Sequence, residues 1–227
     1  MARHDSIVAS FANTTQNILD NYAELLLAVN KKRKKASLTG ELAKQTALSL
    51  TVVWETFIND MLLNYAEQDP ARVLSDIRFR ISQSIGDRFG RVCARHVKYI
   101  FPRRPTSKII AGICDDKEKN ITAQSAADLS KKANALLTGQ HARLFTLDKR
   151  DAEFYDFVVS LRNYLGHMSK LARRELRGTL SQMTHPDNAI FKVAIRKIGI
   201  YLKAQTPVGS NRIVLIGQRL VELAKRM

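Results

Sequence analysis

The sequence predicts an all-α fold, a multi-helix bundle, from two observations. Apolar residues recur at three- and four-residue steps through several long segments, the spacing that lays one stripe along a helix. Ten glycines and five prolines are all that punctuate 227 residues, so those segments run long without a breaker. A chain of this length builds its core without disulfide support and holds one large domain or two small ones. No tract has the composition of a domain linker. One helical domain is therefore expected over 1–227, with a possible insertion at about 68–145.

The elements follow in chain order. Val8, Phe11, Thr15, Ile18, Tyr22, Leu25, Leu26 and Val29 form the stripe of a first long helix. It ends at Lys31, Lys32, Arg33, Lys34 and Lys35, a basic run that either grips phosphate backbones or is a solvated connection. A second helix starts near Ser37 or Thr39 and carries the broad stripe of Leu42, Ala43, Ala47, Leu50, Val53, Trp54, Phe57, Ile58, Met61 and Leu62. Asp69-Pro70 stops it. Residues 70–100 read as one or two arginine-rich short helices. Phe101-Pro102-Arg103-Arg104-Pro105 is a turn or extended piece and a candidate phosphate-contacting loop through Arg103 and Arg104. Residues 106–121 read as a loop or a short strand around Ile109-Ile110. Thr122 or Ser125 opens a helix through Leu137, with Gly139 as its stop. A helix from about Asp148 to Arg177 follows, then one near 188–204, the break Pro207-Val208-Gly209-Ser210, and a last helix from Arg212 to about Lys225.

The helix over 148–177 carries the chemistry. Phe154, Phe157, Val158, Leu161, Leu165, Met168 and Ala172 line its apolar stripe, while Asp156, Ser160, Asn163, His167, Lys170 and Arg174 share the other face. Asn163 and His167 are four positions apart, so the amide can reach the imidazole and orient it. An imidazole ordinarily titrates near neutrality and can take or give a proton. Arg162 brings a permanently charged fork, suited to a phosphodiester whose non-bridging oxygens gain charge. Gly166, one turn on, leaves space above the guanidinium. Positions five apart sit about 140° around an ideal helix, so Arg162 and His167 converge only if the helix distorts near Gly166 or a second copy completes the site.

Arg162-Asn163-Tyr164-Leu165-Gly166-His167 resembles the signature of the HEPN superfamily, in which arginine, a polar residue and histidine follow the pattern Arg-x(4 to 6)-His. The likeness covers this motif and the helical plan of roughly residues 7–66 and 150–177. It implies a helical bundle that dimerises and cuts RNA without a metal; other members bind nucleotides or act as inert scaffolds. Arg162, Asn163 and His167 are then the catalytic set, with Lys170 and Arg174 beside them as nucleic-acid contacts. In such proteins an acidic residue on a neighbouring helix approaches the Arg–His pair, and Glu55 is the residue here that is either that partner or a plain surface glutamate. The resemblance further implies a homodimer, a role as a toxin or in defence against phage, and an antitoxin or partner protein that restrains it.

Composition agrees. Lys and Arg number 37 against 21 acidic residues, a formal +16 that points to a polyanion, with nucleic acid the first candidate, and the resemblance narrows it to RNA. Cys93 and Cys114 form no CxxC pair and fit a reducing, cytoplasmic compartment. No apolar run approaches the length of a membrane span, no GxxxxGK[ST] or GxGxxG appears, and the histidines and cysteines lack zinc spacing. No metal or cofactor is expected. The competing reading is a non-catalytic basic helical protein that binds or scaffolds nucleic acid.

Overall fold

The computed structural model describes residues 3–29, 35–75, 79, 105–114 and 121–227, and its regular elements are helical: the chain is an all-α bundle. Helix α1 (Arg3–Val29) buries Phe11, Thr15, Leu19 and Tyr22 at helical spacing against α2 (Lys35–Gln68). Beyond Tyr22, Leu26 still packs against the core, but Leu25, expected there too, is 51% exposed. Helix α2 is the centre of the bundle and touches most other elements, which is why its stripe is so broad. Trp54 is buried, stacked on Phe57 with ring centroids 5.3 Å apart. The core continues through Ile110, Leu129, Ala133 and Phe145, so the described part of 68–145 shares it. No helix among the described residues is long and apolar enough to cross a membrane.

Four elements depart from the sequence expectation. Residues Ser107–Cys114 form a helix, α3, where a loop or strand was expected. The hydroxyl of Thr106 accepts from the Ile109 amide and its carbonyl accepts from Ile110, an N-terminal cap that two isoleucines alone do not announce. Helix α4 (Ala126–Leu136) is capped by Ser125, as expected, but it ends at extended Leu137, with Gly139 opening the short α5 (Gly139–Ala142) and a 3₁₀ turn Arg143–Phe145. Leaving the helix lets Leu136 and Leu137 both enter the core.

The single helix expected over 148–177 is two. Helix α6 (Lys149–His167) ends where Met168 turns left-handed, at φ 51°, and Ser169 caps α7 (Lys170–Gln182) by accepting from the Ala172 amide. Weak propensity at Gly166 and a good cap at Ser169 together outweigh the apolar periodicity. Met168 therefore lies 54% exposed rather than in the stripe. A non-glycine residue in this conformation costs about 1 kcal/mol. Met168→Gly is expected to raise stability by that amount, about 2–4 °C in Tm, measured by thermal melting.

The helix expected near 188–204 shrinks to α8 (Ile198–Lys203), preceded by a 3₁₀ turn Pro186–Asn188 and irregular chain. Side chains satisfy several of the carbonyls around it, beside a few backbone turns. Arg219 donates to Asp187 O, Arg212 to Ile190 O and Tyr201 O, Arg177 to Ile195 O, Arg173 to Arg196 O, and the Tyr201 hydroxyl to Phe191 O. Helix α9 (Arg212–Ala224) contributes two of these arginines, and buried Arg219 also faces buried Asp151 at 3.7 Å.

Glu153 of α6 anchors the same turn, accepting from the Thr184 amide and hydroxyl, the His185 amide and the Asn188 side chain. His185 is thus structural. Partial burial opposes ionisation of Glu153, yet these four donors hold its carboxyl down to about 2. Its unfolded value is about 4.3, so the bonds stabilise the fold fully above pH 5 and the contribution fades as pH falls toward 2. Glu153→Gln is expected to cost about 1–2 kcal/mol at pH 7. In urea melts from pH 7 to pH 2, the difference from wild type should shrink to near zero.

Candidate active site

The end of α6 and one face of α7 enclose a cleft of about 690 Å³, closed at its rims by residues 122–125 and by Glu55 of α2. Asp156, Arg162, Asn163 and His167 project into it from α6, and Glu175 from α7. The angular separation of Arg162 and His167 is accommodated by position: His167 is the last helical residue, and α7, redirected at Met168, forms the wall its side chain faces.

Arg162 is held on two sides. Its Nε lies 3.1 Å from Glu55 Oε1, and its Nη1 donates to Asn163 Oδ1 at 3.3 Å. Glu55 is the partner of Arg162 rather than a free surface glutamate. A guanidinium has five N–H groups, so three remain for a ligand. Burial pushes the Glu55 carboxyl up, with the adjacent guanidinium opposing the shift. Burial likewise raises Asp156, against the bond its Oδ1 accepts from the Ala126 amide at 2.6 Å, which ties α4 to the cleft.

Several expectations about these side chains change. Asn163 is bonded to Arg162, not to His167, because the neighbouring guanidinium is the stronger donor. His167 has no hydrogen-bond partner among the described residues. A Cβ at Gly166 would meet nothing within 4 Å, so no packing around the guanidinium requires glycine there. Ser160 lines the cleft on the polar face as expected, but it is buried there and donates to Phe157 O. Lys170 and Arg174 are exposed on α7, outside the lining of the cleft. Lys35 opens α2, exposed. Lys31, Lys32, Arg33, Lys34, Arg103 and Arg104, together with Cys93 and His96, lie outside the described residues.

Glu175 and the 122–125 rim carried no signal in the sequence. Glu175 reaches the cleft because α7 turns after Met168, and the rim because the Ala126 amide docks on Asp156, neither of which apolar periodicity reveals. Three carboxylates, Glu55, Asp156 and Glu175, stand in the cleft against one permanent cation, Arg162. The cleft is thus acidic in a chain of net charge +16. No family model, curated protein or solved structure matches this chain.

Proposed function

We propose that the protein is a metal-independent endoribonuclease of HEPN type, with Arg162, Asn163 and His167 as its catalytic set. One observation carries it: an arginine oriented by Glu55 and Asn163 shares a cleft with a histidine that has no partner among the described residues. The ribose 2′-oxygen attacks phosphorus, the P–O5′ bond breaks, and a 2′,3′-cyclic phosphate remains. His167 takes the 2′-hydroxyl proton or delivers one to the 5′-oxygen. The free N–H groups of Arg162 meet the charge that grows on the phosphoryl oxygens. Asn163 fixes the guanidinium plane. Two proton transfers need two groups, and the His167 of a second copy in a homodimer supplies the other. The biological setting that follows from the resemblance is a toxin or phage-defence effector in the cytoplasm, restrained by a partner protein.

The test incubates the wild-type protein with total RNA and a tRNA pool in EDTA, then identifies the product ends. Cleavage leaving 2′,3′-cyclic phosphates is the expected result. Intact RNA with a salt-sensitive gel shift overturns the nuclease and leaves a nucleic-acid-binding protein, the reading favoured by the net charge of +16.

A further inference from the structure

A strand of RNA cannot be held by this cleft alone, because its three carboxylates outnumber its permanent cation. Across the end of α6 lies a second cavity, of about 580 Å³, with the opposite charge. Lys44, Arg173, Arg196 and Lys197 line it, against the single carboxylate Glu41, which pairs with Lys44 at 2.6 Å. The two cavities share the same turn of helix: Asn163 and His167 face one, while their neighbours Tyr164 and Met168 face the other. Arg173 is pre-set by its bond to the Arg196 carbonyl, and its Nε is buried with no acceptor. The side chains of Arg196 and Lys197 are exposed and pair with no carboxylate among the described residues. With Lys44 matched by Glu41, the guanidinium of Arg173 and these two free cations leave the cavity a net positive lining that suits a polyanion. Tyr164 and Met168 add an apolar floor on which a base can rest.

We infer that this basic cavity is the substrate-holding subsite, binding backbone phosphates of single-stranded RNA next to the scissile bond in the acidic cleft. The substrate class rests on the nuclease proposal; the division into a holding and a reacting cavity rests on their charge. Affinity comes from Arg173, Arg196 and Lys197, and the cleft then spends little on binding the ground state. Arg173 also supports the fold through the Arg196 carbonyl, so the informative substitutions are the two exposed side chains.

The experiment measures binding of a labelled single-stranded RNA over a range of salt concentrations, for wild type and the double variant Arg196→Ala/Lys197→Ala. Both carry His167→Ala to prevent turnover. A control double variant, Lys131→Ala/Arg143→Ala, removes two exposed cations outside the lining of both cavities. The expected result is a rise in Kd of about tenfold or more at low salt, with the slope of log K against log salt smaller by about 0.7 for each phosphate no longer neutralised. The control should change neither by as much. An unchanged Kd and slope in the Arg196/Lys197 variant overturn the inference, as does an equal loss in the control. Binding is read without cleavage, so the two proposals fail separately. RNA that binds through this cavity but is never cut removes the nuclease and keeps the subsite.

Discussion

RNA cleavage is expected to fall by about 10²–10⁴ in His167→Ala, the usual worth of a general acid or base, with the melting temperature nearly unchanged. His167 ends α6, its side chain is exposed in the cleft, and it makes no hydrogen bond among the described residues, so its removal breaks no packing. Replacing an exposed side chain at a helix end costs little, within about 0.5 kcal/mol. Single-turnover cleavage and a thermal melt on the same preparation separate chemistry from folding. Cleavage by the variant at the wild-type rate, with the same cyclic-phosphate ends, would remove His167 from the mechanism.

Gly199→Ala is expected to be the most damaging single methyl group in the described fold. An added Cβ would lie 2.5 Å from the Gly40 carbonyl oxygen and 2.8 Å from its carbonyl carbon and Cα. All three atoms are backbone, so no side chain can swing aside, and α2 and α8 must separate. Overpacking of this kind costs about 3 kcal/mol or more, or roughly 6–12 °C in Tm. The mirror substitution is mild, because a Cβ at Gly40 meets Gly199 at 3.8 Å, ordinary contact. Gly40→Ala should therefore be neutral or slightly stabilising, since alanine is the better helix former. Two melts decide the matter, and equal losses in both variants would contradict the geometry. Gly40 and Gly199 both line the basic cavity, so a displaced α8 should also weaken RNA binding.

Much of the bundle was legible in the sequence because amphipathic periodicity is a local property. Helices α1, α2, α4 and α9 lie close to where their apolar spacing and capping residues placed them. Trp54 is in the core for the reason its stripe implied. The misses share a cause. At Met168 a left-handed residue and a serine cap divide one periodic run into two helices. Over 189–197, arginines from distant helices take the carbonyls that a helix would have used. Part of the net positive charge is thus spent inside the fold, on the buried Arg212 and Arg219, rather than on a surface for phosphates.

For the candidate site the division is similar. Sequence spacing alone determined that Arg162, Asn163 and His167 stand off the core stripe of a helix, because three- and four-residue periodicity dictates which face is buried. It also determined the all-α class and the net charge. Only the tertiary structure decided that Glu55 clamps Arg162, that Asn163 serves the arginine rather than the histidine, and that Glu175 enters the cleft. It alone sorted the charges into an acidic cavity and a basic one on opposite sides of one helix end. The physical reason is reach: a helix brings together residues three or four apart, whereas residues 55, 162 and 175 meet only when α2, α6 and α7 are packed.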